Sequence, residues 1–373
     1  MVGVAMALAV SFVPATARAA GWQVAPSPSP QPYVNALDGV ARVPGTTRYW
    51  AVGFTDTSNT DGVTAALIEH EAGGVWSTVA TRAGGVYSNL QSVAALGPRN
   101  AWAAGLVAPA GGNPHALVEH WNGWNWSPMT LPLRPGELAS QLYAVRVFSP
   151  SDALAAGYSE DGSGASSALL YHWNGGDWRI VNLPAPNGCQ PSLAGVSGIP
   201  GSSQRWAVGI CYQLGGSGSS GIIYHYTGSW AITQATFPAH SGLTAVTPVS
   251  ARDVWAVGDT GTNTQPLAMH WNGSAWTAVP TPITGTSGGL SGVIRIPGTV
   301  DLWAVGQTVI GGTGEALAYH WDGTRWMASL TSGPGNQSAL NGVAASGPTD
   351  TYAVGDYLPA SGMPFRKTLV FHH

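Results

Sequence analysis

Histidine is the residue type whose spacing in this chain first suggests chemistry. It recurs about every fifty residues, at His70, His120, His172, His225, His270, His320 and His372. Imidazole is a common zinc ligand and a general acid or base near neutral pH. Whether these copies could share a metal ion depends on how far apart the fold holds them.

Aspartate and tryptophan recur with the same period. The aspartates are Asp152, Asp253, Asp301 and Asp350, and the tryptophans are Trp76, Trp126, Trp178, Trp230, Trp276 and Trp326. Carboxylates beside a turn are expected to bond local backbone N–H groups, and tryptophans are expected to pack in the core. An exposed copy such as Trp124 could instead stack on a sugar. Recurrence favours a scaffold role, because catalysis usually needs one asymmetric cluster.

Two further signatures complete the repeat. A Leu-x-small-Val segment, as at 243–246 and 290–293, precedes an aromatic residue or leucine followed by a small-apolar pair and glycine. This second signature occurs at 50–53, 102–105, 154–157, 206–209, 255–258, 303–306 and 352–355. The unit therefore has four short apolar segments rich in Val, Trp, Tyr and Ile, which favours strands over helices. Four antiparallel strands every fifty residues or so are typical of a propeller blade.

We therefore predict an all-β, seven-bladed β-propeller with four antiparallel strands per blade. The blade repeats begin near residues 37, 90, 142, 193, 243, 290 and 340. The seventh copy stops at His372-His373, before its outermost strand, and a matching piece with Trp22 lies at the other end of the chain. Residues 21–25 are therefore predicted to supply that fourth strand and close the ring.

This architecture bears directly on the metal question. Each histidine lies on the third strand of its own blade, and strands about 4.8 Å apart place it roughly 15 Å from the axis. Adjacent copies are then more than roughly 10 Å apart, whereas a zinc ligand lies about 2 Å from the metal. We expect neither a metal nor a cofactor, and we expect each imidazole to hydrogen-bond within or between blades.

Composition and the N-terminus indicate an exported protein. Charged residues make up 9% of the chain and its net charge is −4; without a basic run, a nucleic-acid partner is not expected. The apolar stretch 2–13, followed by Pro14 and Ala-x-Ala at 17–19, is typical of a secretory signal. The alternative, a transmembrane anchor, would be short and closed by Arg18. We predict a signal peptide at 1–19, a mature propeller over 20–373, no membrane span after cleavage, and a secreted monomer, whether released or retained at the cell wall.

The chain has two cysteines, Cys189 and Cys211. Both belong to the same end of the first hairpin of the fourth blade, where antiparallel pairing makes a bridge feasible. Export makes that bridge chemically expected. We predict a disulfide; the alternative, a pair of free thiols, suits an oxidising compartment poorly.

The repeat also resembles known families. The turns at 270–276 (H-W-N-G-S-A-W) and 320–326 (H-W-D-G-T-R-W) resemble the Asp-box of sialidase-type propellers, but are one residue tighter. They are also similar to an element of secreted bacterial propeller lectins that bind fucose-type sugars. The W-A-V-G strand with Asp253 or Asp301 before it resembles secreted actinobacterial propellers. The resemblances imply the fold more than the function, because they rest on scaffold residues. A sialidase would need an arginine cluster at the mouth of the channel, whereas Arg42, Arg146 and Arg295 follow the first strand toward the opposite face.

Function is expected where the repeat varies. In a propeller, the links between blades and the loops from second to third strands share one face, which we call the variable face; the other is the short-turn face. The variable loops here include 56–64, 160–167, 213–220 and 357–367. Residues just after the repeat glycine should point toward the mouth of the channel. The candidate ligand contacts on this face are Tyr158, Glu160, Tyr212, Asp259, Gln307, Asp356, Tyr357 and Arg366.

Three functions follow from these observations. The first is a non-catalytic exported module that binds a glycan or an extracellular protein. The second is a saccharide hydrolase or lyase in which Asp259 and Asp356 could form a carboxylate pair. The third is a structural surface protein that binds nothing small. The first is favoured, because the sequence contains no recognisable catalytic or metal-binding constellation.

Overall fold

The computed structural model describes residues 21–56, 58, 63–216, 218–261, 264–330, 332–360 and 365–373. The predicted signal peptide, parts of four loops between second and third strands, and residue 331 in the link between the last two blades lie outside these residues. Within these ranges the chain forms seven antiparallel sheets of four strands each, which confirms the predicted seven-bladed propeller. None of the described residues belongs to a helix long and apolar enough to cross a membrane.

Each blade contains four consecutive strands, except that the last takes its outermost strand from the N-terminus. That strand is β1 (Gln23–Val24). The first three blades contain β2 (Val34–Arg42), β3 (Tyr49–Asp56), β4 (Thr64–Ala72), β5 (Val75–Thr78), β6 (Tyr87–Gly97), β7 (Asn100–Ala108), β8 (His115–Trp121), β9 (Trp126–Pro128), β10 (Glu137–Ser149), β11 (Asp152–Asp161), β12 (Ser166–Trp173) and β13 (Trp178–Ile180). The next two contain β14 (Cys189–Gly198), β15 (Arg205–Gln213), β16 (Ser219–Tyr226), β17 (Trp230–Ile232), β18 (Gly242–Ser250), β19 (Asp253–Thr260), β20 (Gln265–Trp271) and β21 (Trp276–Val279). The last two contain β22 (Ser287–Arg295), β23 (Leu302–Ile310), β24 (Thr313–Trp321), β25 (Trp326–Leu330), β26 (Gln337–Gly347), β27 (Asp350–Leu358) and β28 (Lys367–His372).

The N-terminal strand closes the ring as predicted. β1 pairs antiparallel with β28, with Gln23 opposite His372, and the Ala25 N–H donates to the Val370 carbonyl at 2.8 Å. The Trp22 side chain is only 8% exposed, and its ring centroid lies 4.9 Å from that of Trp303 in blade 6. A residue from one end of the chain therefore fills the last interface between blades.

The core is divided among the interfaces between blades, where aromatic rings meet. In blade 2, for example, the Trp102 ring lies 4.1 Å from that of His120 in its own blade and 5.4 Å from that of Trp178 in the next. Buried aromatic rings bring large apolar areas and favour such tilted and edge-to-face contacts. One blade alone could not bury both of its faces, so closure of the ring supplies each blade with two neighbours.

Five of the seven repeat histidines make ring hydrogen bonds within their own blades, whereas the repeat aspartates accept no backbone N–H in the described part of the chain. His172 contacts the Asp152 carboxylate at 3.1 Å, and His270 contacts Asp253 at 2.9 Å. The prediction that these aspartates bond local backbone N–H groups is wrong. The reason is cross-strand placement: the aspartate begins the second strand, beside the place where the third strand carries the histidine.

The closing tryptophan gives a test of the ring. We expect Trp22→Ala to lower the free energy of unfolding by about 3–5 kcal/mol, the usual cost of removing a buried tryptophan. Urea unfolding followed by circular dichroism measures the change. Trp124→Ala is the control, because that side chain is 85% exposed. Equal stability of the Trp22 variant and the wild type would contradict closure by this residue.

Candidate functional site

Every inner strand carries a β-bulge at the same position. In blade 1, Leu37 pairs with Gly53 and Gly39 pairs with Val52, so Asp38 is an extra residue in its strand. The same register shift occurs in the six other blades. A bulge locally re-aims a side chain, and bulges are over-represented next to functional sites. We call the seven bulge residues the channel ring: Asp38, Gln91, Tyr143, Ala194, Thr244, Ser291 and Asn341.

The repeat glycine makes this geometry possible. A Cβ atom on Gly53 would overlap the carbonyl oxygen of Ala36 on the inner strand, and the equivalent overlap occurs in all seven blades. Only glycine allows two backbones to come so close. The glycine is therefore required by the strand contact itself, whereas the bulge residue beside it is free to vary.

The channel ring lines a cavity of about 400 Å³ at the mouth of the channel. Tyr212 and Asp259, near the ends of second strands that lead into variable loops, complete part of the wall. The lining also includes Ser192, Ile210, Gly242 and Leu243. The cavity thus opens on the variable face, where the sequence predicted the site.

Asp38 is the most perturbed acid of the site. Gln91 and Asn341, its neighbours on either side in the channel ring, place amide nitrogens 3.4 and 3.3 Å from its two carboxylate oxygens. Surrounding protein raises the pKa of the Asp38 carboxyl from 3.8 to about 7, and the nearby Asp356 carboxylate adds to this shift. Asp38 is thus an acid that exchanges a proton near neutral pH.

Tyrosines form the wall of blades 3 and 4. The Tyr143 ring stacks on that of Tyr158, with centroids 6.0 Å apart and planes inclined by 21°. Burial, with Tyr158 and Tyr212 nearby, raises the pKa of Tyr143 to about 12. Tyr212 remains 53% exposed. The cavity therefore offers aromatic faces on one side and amide, hydroxyl and carboxyl groups around the rest.

The predicted disulfide is confirmed, and it supports this wall. Cys189 and Cys211 are bonded, with their Cα atoms 5.5 Å apart. Cys211 directly precedes Tyr212, and the bridge joins β14 to β15 near the variable face. It therefore restrains the backbone that carries an exposed tyrosine of the cavity.

Of the other predicted contacts, one lines the cavity and three are held by neighbouring residues. Asp259 lines the cavity, and burial raises its pKa. Asp356 is near enough to perturb Asp38, but it is buried in an ion pair with Arg366. Gln307 turns away to donate to the Ser338 carbonyl at 3.1 Å.

The remaining two predicted contacts do not line this cavity. Tyr357 packs against the core between blades 6 and 7. Glu160 lines a separate groove of about 500 Å³ near Arg134.

Sequence reasoning missed the channel ring, although the signal for it was present. The ring residues are the "x" of each Leu-x-small-Val segment, and they are seven different amino acids in seven repeats. Variation at a position flanked by constant residues marks a place where the scaffold imposes no requirement. Recognising that this position faces the channel required knowledge of the bulge.

No lysine or arginine of the described residues lines the cavity at the mouth of the channel. Arg42 and Arg295 donate to the turn carbonyls of Thr46 and Thr299, at 3.3 and 2.8 Å, and so hold short turns at the opposite face. Among the residues that the structure describes, no three His, Cys, Asp or Glu side chains are placed to hold a metal ion. What the site offers is hydrogen bonding and ring contact.

Fold and site together define the chain as a seven-bladed propeller with an asymmetric polar channel mouth. No protein-family model matches the chain, and no curated protein matches its sequence. Among solved structures, it is similar to YCF48 bound to D1 peptide, at 15% identity and a TM-score of 0.55, over 95% of each chain. It is also similar to the Dos1 propeller, at 10% identity and a TM-score of 0.54, over 91% of this chain and 93% of that one. Trypanosoma rangeli sialidase matches at 12% identity and a TM-score of 0.50; 91% of this chain aligns with 55% of that protein. At these identities the similarity establishes the fold alone.

Asp38 gives a pH-dependent test of the site. Because its folded pKa lies above its unfolded value, the stability it contributes is full below about pH 4 and is lost as pH rises through about 7. We therefore expect Asp38→Asn to gain thermal stability relative to the wild type between about pH 4.5 and pH 8. Melting temperatures at both pH values measure the change. Asp177→Asn, at a turn carboxylate that is 63% exposed, is the control, and an equal pH dependence in both variants would contradict the assignment.

Proposed function

We propose that the protein is an exported, non-catalytic binding module that recognises a glycan at the mouth of its channel. The observation that carries this proposal is the composition of the cavity wall: Tyr143 and Tyr212 lie on one side, and Asp38, Gln91 and Asn341 form a hydrogen-bonded arc on the other. A sugar presents an apolar ring face and several hydroxyl groups, which match these two sides. The cavity volume of about 400 Å³ falls within the usual range for small-ligand sites, about 300–1,000 Å³.

Charge further restricts the ligand class. Asp38, Asp259 and Asp356 all lie at or near the cavity, and Arg366 is committed to Asp356. None of the described residues that line the cavity is a lysine or arginine, so the site offers no cation to a carboxylate or phosphate group, whereas its side chains accept hydrogen bonds from hydroxyl groups. We therefore propose a neutral or cationic glycan in preference to an acidic one.

Export is part of the proposal. The apolar segment and Ala-x-Ala site at the N-terminus support cleavage after residue 19 and secretion. The Cys189–Cys211 disulfide fits an oxidising compartment. Mass spectrometry of the protein recovered from the culture medium tests this step, and an intact N-terminus retained inside cells would contradict it.

Ligand identity is tested by a glycan array together with a pull-down from secreted and cell-wall material. Binding of neutral glycans supports the proposal. Capture of a protein without any glycan would identify the other partner class expected from the sequence. Silence in both experiments would contradict a binding role.

Tyr212, the exposed tyrosine of the cavity, provides a mutation that tests the site directly. We expect Tyr212→Ala to weaken binding of the glycan found on the array by roughly tenfold, which corresponds to about 1.4 kcal/mol for one lost aromatic contact. Isothermal titration calorimetry measures the change. Trp124→Ala removes an even more exposed ring, on the short-turn face, and should leave the affinity unchanged. The reverse result would place the glycan on the short-turn face.

A saccharide hydrolase is the second candidate, and Asp38 is the observation that favours it. A carboxyl whose pKa is about 7, close to the carboxylate of Asp356, has the properties of a general acid. The originally expected pair of Asp259 and Asp356 is less suited, because Arg366 holds Asp356.

Turnover separates the two candidates. If the protein is a hydrolase, Asp38→Asn should lower kcat on an array-positive oligosaccharide by at least roughly 100-fold, the usual contribution of a general acid. Release of reducing ends is the measurement, with Asp177→Asn as control. Absence of turnover by the wild type on glycans that it binds would exclude this candidate.

A further inference from the structure

Six of the seven blades contain the same aromatic contact, and blade 3 is the one that lacks it. The first residue of the W-A-V-G signature stacks its ring against the histidine of its own blade, with centroids 4.1–4.7 Å apart. These pairs are Trp50–His70, Trp102–His120, Trp206–His225, Trp255–His270, Trp303–His320 and Tyr352–His372. Blade 3 has Leu154 at this position. No aromatic ring of the described residues stacks on His172.

Blade 4, which packs against blade 3, enlarges the space left by the missing aromatic ring at Leu154. Its turn before Trp230 is one residue shorter than the others, because this tryptophan follows its histidine by five residues instead of six. Trp230 remains partly exposed, whereas its six counterparts are buried. Tyr226 also replaces the tryptophan that blades 2, 3, 5 and 6 carry after the histidine.

These departures leave a cavity of about 650 Å³ between blades 3 and 4. Its walls include Leu154 and His172 from blade 3 and Tyr226 and Trp230 from blade 4. It opens on the short-turn face, away from the channel mouth, and is therefore independent of the proposed glycan site. Its apolar part occupies the place that an indole ring fills at other interfaces.

A hydrogen-bond acceptor is already present in this cavity. In blade 5, the indole N–H of Trp255 donates to the Asp253 carboxylate at 3.0 Å. Asp152 is the blade 3 counterpart of Asp253, and with Leu154 beside it no indole of its own blade uses it. Arg205 contacts one Asp152 carboxylate oxygen at 2.7 Å and His172 contacts the other at 3.1 Å; the Asp152 side chain is 32% exposed, and each oxygen keeps a second lone pair for a further donor. The cavity therefore combines a slot for a flat ring with an accessible anionic acceptor.

We propose that this cavity receives the aromatic side chain of a tryptophan or tyrosine from a partner protein. The ring stacks on His172, packs against Trp230, and donates its N–H or O–H to Asp152. The cavity is larger than one ring needs, and Ser151, Ser202 and Ser203 lie along it, where their hydroxyl groups can bond the main chain that carries the ring. This favours a peptide-borne ring over a free aromatic molecule.

Calorimetric titration tests the proposal with defined probes. N-acetyl-tryptophanamide should bind more tightly than free indole, which lacks the main-chain amides. Methylation of the indole nitrogen should weaken binding roughly 10- to 150-fold, since a hydrogen bond to a charged group contributes roughly 1.5–3 kcal/mol. Equal binding of the methylated probe would overturn the role of Asp152, and absence of binding by all three probes at millimolar concentration would overturn the site. Tighter binding of free indole would overturn the peptide assignment.

Two variants make the test specific. Leu154→Trp should fill the slot with the protein's own indole and abolish probe binding, without loss of thermal stability. Tyr352→Trp makes a comparable change in blade 7, where a ring already lies against His372, and should leave binding unchanged. Undiminished binding by folded Leu154→Trp would overturn the proposal. If that variant does not fold, Asp152→Ala should bring the methylated and unmethylated probes to equal affinity, and a preserved difference would overturn it.

Discussion

The close approach of two backbones at the repeat glycine is the constraint on which the site depends. Where Gly53 meets the carbonyl of Ala36, a side chain on the second strand would collide with the inner strand. The inner strand accommodates one extra residue next to this contact, and that residue faces the channel. Glycine and leucine therefore have to recur in every blade, but the residue after the leucine does not. A ring with seven equivalent backbones can in this way present seven different side chains to one ligand.

Aromatic packing between the blades, toward the short-turn face, also recurs only where the fold requires it. Burial of one aromatic side chain removes about 150–250 Å² from water, which stabilises the fold by several kcal/mol. The aromatic pairs at six of the interfaces therefore hold the blades together. The interface with Leu154 can lose its ring because Leu154 still buries an aliphatic side chain in the core of blades 3 and 4. On both faces, the positions that depart from the repeat are those where the fold does not require a particular side chain. At the channel the departure is a change of side chain, and between blades 3 and 4 it is an empty volume.

The sequence predicted the parts of this structure that recurring residue types encode. The blade count, the strand order, closure by Trp22 and the disulfide all follow from patterns of burial and from local antiparallel pairing. The channel ring could not be predicted in the same way, because a bulge is a property of strand register and Asp38, Tyr143 and Asn341 share no chemical type. Residues after the repeat glycine were expected to face the mouth; Asp259 does, whereas Gln307 is drawn aside by the carbonyl of Ser338. Such choices depend on the neighbouring blade, which sequence spacing does not specify.

The hydrogen bonds that Gln91 and Asn341 make around Asp38 restrict the class of ligand that the cavity can bind. Gln91 and Asn341 each place an amide nitrogen near Asp38, and each has a second acceptor, at Asn89 and at the Leu37 carbonyl. Their nitrogens are thus engaged by the protein, while the carboxylate oxygens keep unused lone pairs. The arc therefore presents mainly acceptors to the cavity, and a ligand must supply the donors. Hydroxyl groups do so without bringing a negative charge near Asp38, Asp259 or Asp356, so the same geometry that favours a neutral glycan disfavours an acidic one.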